Sequence, residues 1–199
     1  MFSISNRLAY ENIMVKGFEN RIDSRDEPLC FDLDDGYSIF PSFWADEPAT
    51  TSGSHLQPSV INRLQNALDH LQTMGVSPSE VIAISPFRAV ADKLRSLENQ
   101  YPGLQAGTIH TAQGREAPVV FFVLGGDPDK PGARGWAAKS VNLVNVAVSR
   151  AQRRLYVIGD KTAWAKNNYF RQLASSLDQH QEQARRSSRA PIAVQTGRG

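Results

Sequence analysis

The sequence predicts an α/β domain built on a parallel sheet with helices on both faces. Apolar runs of strand length alternate along the chain with longer segments whose apolar residues recur at helical spacing. This alternation is typical of strand–helix–strand units. The short runs are apolar throughout instead of alternating with polar residues, which indicates strands buried on both faces. We find no internal repeat in the sequence.

The composition is that of one globular domain with some additional loop or terminal segments. The chain has 199 residues, of which 41% are hydrophobic and 21% charged, as in ordinary folded proteins. The single cysteine excludes an internal disulfide and indicates a reducing compartment. No apolar run approaches the roughly 20 residues of a membrane span, and the N-terminus lacks the pattern of a signal peptide. We therefore expect a cytoplasmic protein with no membrane partner.

The net charge of +2 conceals an uneven distribution. Residues 1–50 contain 4 Lys/Arg and 10 Asp/Glu, a balance of −6, and the other 149 residues contain 18 and 10, a balance of +8. A basic body attracts phosphate polymers such as nucleic acids. A mixed, solvated surface beside an acidic loop is the alternative that charge alone leaves open.

The first segment, residues 1–58, is predicted to be rich in loops. Ser5–Tyr10 has the pattern of a helix end, 28–33 that of a short strand, and 41–58 is a loop rich in Pro, Ser, Thr and Gly. Because a domain seldom begins in the middle of an element, we expect Met1 to mark a truncation or an internal start.

The next elements are better defined. A helix is predicted to begin at Pro58, which suits a first turn, and to stop at Gly75. A fully apolar strand at 81–84 and a second amphipathic helix at 89–99 follow it. The residues that recur at helical spacing in the first helix are Val60, Leu64, Ala67, Leu68 and Leu71.

The second half of the chain contains the strand predicted to be most central. We predict a short strand at 106–110, a central strand at 118–124 rich in Val and Phe, a loop at 125–135, a helix at 141–153 and a strand at 155–158. A turn of helix should begin at 161. The last helix is predicted at 169–183, followed by a flexible basic tail at 184–199 without apolar periodicity. Residues 1–183 would then form one domain.

Polar groups follow three of the predicted strands. They lie in Ser85–Arg88, His110–Glu116 and Gly159–Lys161. In open parallel sheets, ligands gather beyond the carboxyl ends of the strands. The sequence therefore predicts a site at that edge, although every parallel sheet also ends in polar loops.

Two segments contain residues suited to binding. Gly114 permits close backbone approach, Gln113 offers both a donor and an acceptor, and Glu116 can accept from ribose hydroxyls. Polar groups that bond only to their own loop are the alternative.

In the helix that follows, Arg150 is predicted at the boundary of the buried stripe, with its guanidinium directed outward. An arginine that only bonds a local carbonyl or acid is the alternative there. The predicted stripe consists of Val141, Val144 and Val148, flanked by Ala147 and Ala151, with Asn142, Asn145 and Ser149 opposite.

These segments resemble conserved motifs of superfamily 1 helicases. His110–Glu116 and Asn145–Ala151, the latter ending in Val157–Asp160, look like motifs V and VI of the 5′→3′ branch that includes nonsense-mediated-decay and replication helicases. Ile84–Arg88 resembles the segment before motif V in that group, and Ser5–Tyr10 resembles the segment just after motif IV. The order and spacing of the motifs also match.

The resemblance covers roughly residues 5–175 and implies a fold and an activity. The fold would be RecA-like, of the P-loop NTPase type, and the chain would be the second motor domain of an ATP-dependent DNA or RNA helicase. Arg150 would be the catalytic residue, an arginine finger that reaches the γ-phosphate across the domain interface. Gln113, Gly114 and Glu116 would share the nucleotide site with it.

The resemblance also implies contacts with nucleic acid. Ser85, Thr108 and His110 would face the backbone of single-stranded DNA or RNA. Neutral phosphate contacts of this kind hold a strand without sequence preference.

The departures from the family pattern matter equally. No Gly-x-x-x-x-Gly-Lys-Ser/Thr is present. Residues 133–140 end in Lys-Ser, but Ala133 and Ala138 stand where the phosphate cradle requires glycine. The second domain therefore has no P-loop of its own. ATP and Mg²⁺ are expected only together with a first RecA-like domain, in cis or in trans.

Other sites are excluded or unsupported. The four histidines show no metal-ligand spacing with the cysteine or with each other. Trp136 and Trp164 are predicted to be packing residues. The sequence therefore predicts the second half of a helicase motor, which would be inactive as an ATPase alone. Three origins of such a chain are possible: a cut chain, a split gene or a decayed remnant. A non-enzymatic module that keeps the fold to bind nucleic acid or protein is the alternative function.

Overall fold

The computed structural model describes residues 40–112, 114–138 and 141–187. The predictions for the first 39 residues, for Gln113 and for the tail beyond Ser187 lie outside the described residues. The predicted positions of the Val141 and Asn142 side chains also lie outside them. Among the described residues, no helix is long and apolar enough to cross a membrane.

The core of the fold is a five-stranded, fully parallel sheet. Its strand order is β1-β5-β4-β2-β3, which places β4 at the centre and β3 at one edge. This arrangement confirms the predicted α/β fold. The strands are β1 (Phe43–Asp46), β2 (Val81–Ser85), β3 (Gln105–Thr108), β4 (Ala117–Val123) and β5 (Ala151–Gly159).

Six helices in the described part of the chain cover the sheet. The first begins with Pro58 in its first turn and ends before Gly75, whose φ of 82° only glycine adopts easily. Both signals confirm the sequence prediction. The helices are α1 (Pro58–Thr73), α2 (Arg88–Ser96), α3 (Pro131–Ala138), α4 (Val141–Arg150), α5 (Lys161–Trp164) and α6 (Asn168–Ser187), with 3-10 turns at Pro78–Glu80 and Leu97–Asn99.

One face of the sheet packs against α1 and α2. The Tyr156 hydroxyl of β5 donates to the Phe40 carbonyl at 2.6 Å, and the Phe40 ring contacts His70 of α1. Tyr101, which follows α2, donates its hydroxyl to Asp69 of α1 at 2.8 Å. Burial raises the pKa of Tyr101 to about 12, so this hydroxyl remains a donor at neutral pH.

The opposite face packs against the C-terminal helices. Successive strand residues point to opposite faces, so Phe122 lies on the other side from Phe121. Phe170 of α6 stacks against Phe122, and the rings of Trp44 and Trp164 also pack on it. Both faces are therefore covered, which explains why the central strands are apolar throughout.

Several element boundaries differ from the sequence predictions, among them the end of β3 at Thr108 instead of His110. The strand predicted at 155–158 begins four residues earlier, at Ala151, because the exposed Gln152 masks its start. The helix before it ends at Arg150 instead of Arg153. The last helix continues to Ser187, with Ala184 only 3% exposed, so the predicted end at residue 183 was too early.

Two elements lie in segments predicted to be loops. β1 has only four residues, and Pro41 and Pro48 stand on either side of it, so composition conceals it. α3 contains Gly132 and Gly135, which disfavour helix in an isolated segment. Packing against the rest of the fold outweighs local preference in both cases.

Candidate nucleotide and nucleic-acid site

The segment between β3 and β4 runs from the carboxyl ends of the strands, which we call the carboxyl edge of the sheet, back to their amino ends, the amino edge. β3 ends at Thr108 and β4 begins at Ala117, and the two strands are parallel. Residues 109–116, which we call the return segment, must therefore run from the carboxyl edge of the sheet to its amino edge. The sequence prediction that all of His110–Glu116 lies at the carboxyl edge was wrong, because a short connection between parallel strands has to come back.

The return segment depends on two glycines. A Cβ at Gly107 would collide with the Thr111 hydroxyl, so only glycine lets the segment fold this close to β3. Gly114 has a φ of 85°, in the left-handed region that favours glycine. Gly114, Arg115 and Glu116 are all exposed, at the amino edge of the sheet.

Arg150 lies beside the end of the return segment. It is the last residue of α4, and the pairing of Ala117 with Ala151 brings the two segments together. Arg150 Nη1 donates to the Arg115 carbonyl at 3.2 Å, and Nη2 donates to the Ser149 hydroxyl at 3.0 Å. The structure thus brings together three predicted nucleotide-binding residues, Gly114, Glu116 and Arg150.

The position of Arg150 follows from the burial of α4. Val144, Ala147 and Val148 have no exposed surface, and Arg150 is half-buried at the boundary of this stripe. Its carbonyl contact matches the structural alternative left open by the sequence. The Nε atom is buried and has no hydrogen-bond partner among the described residues. Two of the five guanidinium N–H donors are used in the bonds from Nη1 and Nη2, so the second hydrogen on each of these nitrogens remains for another acceptor.

The predicted nucleic-acid residues lie at the opposite edge. His110 is exposed and Thr108 is half-buried at the carboxyl end of β3. Ser85, by contrast, has no exposed surface, and its hydroxyl accepts from the Phe87 amide at 3.2 Å. Direct contact between Ser85 and a strand would require this loop to open.

A second polar cluster at the carboxyl edge was not predicted. Asp127 is 1% exposed, and its carboxylate accepts from the amides of Gly53 and Asp129 at 3.1 and 3.0 Å. Its own amide donates to His55 Nδ1, and the His55 ring stacks on Phe87 at 4.1 Å. This cluster fixes the loops after β2 and β4 to the segment before α1. No local sequence signal reveals it, because its members are far apart in the chain.

A cleft of about 250 Å³ lies between the edge strand β3 and the return segment. Arg115 has two contacts here, since its carbonyl accepts from Arg150 while its Nη1 lies 3.5 Å from Gln105 Oε1. Sequence reasoning gave Arg115 no role. The polar residues that line the cleft are Arg95, Glu98, Gln105, Thr111 and Arg115.

Two further kinds of site matter among the described residues, a metal-ligand group and a phosphate-binding loop. These residues hold no group of three or more His, Cys, Asp or Glu residues suited to a metal ion. Residues 133–138, which precede the Lys-Ser pair, are helical instead of forming a phosphate-binding loop.

Comparison with known proteins places the chain in a protein family. The AAA domain profile matches residues 2–162. DNA-binding protein SMUBP-2 of Rattus norvegicus is 31% identical over 119 residues, which are 57% of this chain and 12% of that protein. DNA polymerase alpha-associated DNA helicase A of Saccharomyces cerevisiae is 26% identical over 140 residues, 64% of this chain and 20% of that protein.

A third relative is a probable helicase of Dictyostelium discoideum, 29% identical over 104 residues, or 52% of this chain and 11% of that protein. The aligned parts of these three relatives amount to between 11% and 20% of their lengths. The relatives are thus much longer than this chain.

Proposed function

The chain belongs to the AAA domain family as the C-terminal RecA-like domain of a superfamily 1 helicase, and we propose that it supplies an arginine finger to an ATP site. The site would be shared with a first RecA-like domain, in cis or in trans. The observation that carries this proposal is the position of Arg150, which lies half-buried at the amino edge of the sheet beside the exposed residues Gly114 and Glu116.

The residues at this place suit an anionic nucleotide. The Arg150 guanidinium is held in position by two hydrogen bonds. A positioned guanidinium stabilises the negative charge that develops during phosphoryl transfer. Glu116 is exposed beside it and can accept from ribose hydroxyls. Gly114 leaves the approach open, since a Cβ there would meet nothing within 4 Å.

The remaining parts of the ATP site would come from the first domain. ATP with Mg²⁺ provides the reactive phosphate and its charge-neutralising cation, and a P-loop is the usual cradle for both. The present chain would close the site, orient the ribose edge and present Arg150. We therefore expect no useful ATP hydrolysis by the chain alone.

The nucleic-acid contacts are proposed for the carboxyl edge of the sheet. Thr108 and His110 lie there, on a chain whose residues 51–199 have a balance of +8. Neutral and basic groups together attract a phosphate backbone without reading its sequence. Single-stranded DNA or RNA is the expected partner, and binding should weaken as the salt concentration rises.

Steady-state phosphate release, measured together with oligonucleotide binding, tests this function. Steady-state phosphate release is compared for the chain alone and for the chain joined to a first RecA-like domain, each with and without single strands. We expect turnover only in the joined protein, stimulated by single strands. A joined protein that binds oligonucleotide but never hydrolyses ATP would instead support a non-enzymatic binding module.

A further inference from the structure

Ser149 precedes the proposed arginine finger and contacts its guanidinium directly. Arg150 Nη2 donates to the Ser149 hydroxyl at 3.0 Å, and the same hydroxyl lies 3.1 Å from the Val146 carbonyl, three residues back in α4. A guanidinium only donates and a carbonyl only accepts, so the direction of both bonds is fixed. Ser149 accepts from Arg150 and donates to the Val146 carbonyl. The hydroxyl therefore links the arginine to the backbone of the helix that carries it.

A second anchor holds the other terminal nitrogen of the same guanidinium. Nη1 donates to the Arg115 carbonyl at 3.2 Å, at the end of the return segment. The two acceptors belong to different parts of the fold, since one is a side chain of α4 and the other is backbone just before β4. A side chain as long as that of arginine otherwise samples many rotamers in water. Two bonds to separate segments, together with the burial of Nε, hold Arg150 in the position that the structure shows.

The two anchors leave donors for a ligand. Nη1 and Nη2 each carry two hydrogens, and each uses one of them for its anchor. The second hydrogens remain for an anionic group, at a place where the neighbouring Gly114 and Glu116 are exposed. The guanidinium can thus bind such a group without giving up either anchor. An arginine that used all its donors locally could not do so.

We propose that Ser149 is a positioning residue for the arginine finger. The inference rests on the proposed function, because it concerns the geometry of Arg150 during ATP hydrolysis. Ser149 acts through Arg150 and does not itself touch the nucleotide. A group that positions a transition-state contact affects the maximal rate more than it affects substrate binding.

Removal of the Ser149 hydroxyl should slow the joined motor. Ser149→Ala leaves Nη2 without its acceptor, so the guanidinium spends less time in the position that phosphoryl transfer requires. We expect kcat for phosphate release, measured with single strands present, to fall about tenfold or more. KM for ATP should change by less than about threefold, because the lost contact acts in the transition state.

Threonine and valine at position 149 separate the hydroxyl from the shape of the side chain. The two are similar in size, and threonine in a helix can bond a carbonyl one turn back. Ser149→Thr should bring kcat to within about threefold of the wild type, whereas Ser149→Val should be as slow as Ser149→Ala. Ser96→Ala is the matched control, because the exposed Ser96 hydroxyl in α2 donates to the Lys93 carbonyl at 2.6 Å, also three residues back. Its loss removes the same kind of bond from another helix and should leave kcat unchanged.

A double-mutant cycle shows whether Ser149 acts through Arg150. If it does, Ser149→Ala should cause no further loss in the Arg150→Ala background, so the two changes are not additive. A residue that only stabilises α4 would instead lower turnover by the same factor in both backgrounds. Urea denaturation of each isolated variant chain identifies any loss of turnover that comes from unfolding.

The outcomes separate this inference from the function on which it rests. Unchanged kcat in Ser149→Ala, with turnover lost in Arg150→Ala, would exclude a positioning role while the finger assignment stands. A rise in kcat would show that the bond holds the guanidinium away from the phosphate, which also overturns the proposal. Equal losses for Ser149→Thr and Ser149→Val, or additive losses in the cycle, would make Ser149 a structural residue. If Arg150→Ala itself leaves turnover unchanged, the proposed function fails and this inference fails with it.

Discussion

At the scale of single residues, Gly107 provides the space that the start of the return segment occupies beside β3. A Cβ at this position would overlap the Thr111 hydroxyl, which itself donates to the Thr108 carbonyl at 2.8 Å. We predict that Gly107→Ala lowers the free energy of unfolding by about 1–3 kcal/mol, the usual cost of overpacking. The change should be measured by urea denaturation.

The same contact provides its own control. Thr111→Ala removes the colliding oxygen and leaves the Thr111 Cβ at 3.5 Å and Arg95 Nη2 at 3.4 Å, so the double variant should regain part of the loss. Gly132→Ala is the matched variant in open space and should be neutral or slightly stabilising. Equal costs for Gly107→Ala with and without Thr111 would show that the collision is not the cause.

The sequence predicted the exposure of some side chains correctly and that of others incorrectly. Arg150 was placed correctly at the boundary of its helix, because helical spacing alone fixes which side chains face the core. Ser85 was predicted to contact nucleic acid, yet it is fully buried and bonded to the Phe87 amide. Trp136 was predicted to be packed and is exposed. The exposure of both side chains depends on neighbours that are distant in sequence, which the local pattern does not show.

At the scale of elements, the extension of α6 changes the expected effect of truncation. Ala184 was assigned to a dispensable tail, but it is helical and 3% exposed. We predict that Ala184→Glu lowers the thermal midpoint measurably, because a carboxylate would be forced into a packed position. Arg186→Ala removes only an exposed ion pair with Glu182 and should change the midpoint little. Equal midpoints for both variants would mean that the last turn of α6 is not docked.

α6 also carries a buried histidine that should make stability depend on pH. His180 is 2% exposed, and burial lowers its pKa to about 3, with the nearby Arg154 charge acting in the same direction. The unfolded chain, with an ordinary pKa near 6.5, therefore binds a proton that the folded chain does not. This contribution is fully present above pH 6.5 and is lost as the pH falls towards 3.

The expected slope is at most about 1.4 kcal/mol per pH unit for one proton. His180→Gln should flatten the fall in unfolding free energy between pH 6.5 and 4.5, as measured by urea denaturation at each pH. His70→Gln, at an exposed position, should leave the slope unchanged. A His180→Gln variant with the wild-type slope would show that His180 is charged in the folded protein.

Apolar periodicity and the Pro and Gly signals predicted the elements with strong local preference and missed those with weak local preference. The strand at Val81–Ser85 and the helix from Pro58 were predicted within a residue, because apolar runs and a proline–glycine pair mark them clearly. β1 and α3 were missed, since Pro41, Pro48 and Gly132 imitate loop composition. In both cases the sheet and the neighbouring helices supply the stability that local preference lacks.

At the scale of the whole molecule, the proposed functions lie at opposite edges of one sheet. The return segment and Arg150 meet at the amino edge, while Thr108 and His110 lie at the carboxyl edge. A strand of seven residues such as β4 separates them by roughly 20 Å. The sequence predicted a single cluster, because the motifs alone do not show that the return segment crosses the sheet.

This arrangement suits a motor in which two domains close on ATP while both grip a strand. The first domain would approach the amino edge, where Arg150 and Glu116 stand, and the strand would pass along the other edge. ATP binding and release at one edge would then change the spacing of strand contacts at the other. Such coupling would depend on the sheet moving as a rigid body, which its buried, apolar strands favour.

The most direct test of the account is ATP turnover by the joined motor with Arg150 changed. Steady-state phosphate release is measured with single strands present for wild type, Arg150→Ala and Arg150→Lys, and urea denaturation of the isolated chain shows that each variant is folded. We expect Arg150→Ala to reduce turnover by about 10³-fold or more while the isolated domain stays almost as stable. Arg150→Lys should recover little, because an ammonium lacks the planar fork. Unchanged turnover would contradict the finger assignment, and unfolding of the isolated Arg150→Ala domain would make Arg150 a structural residue.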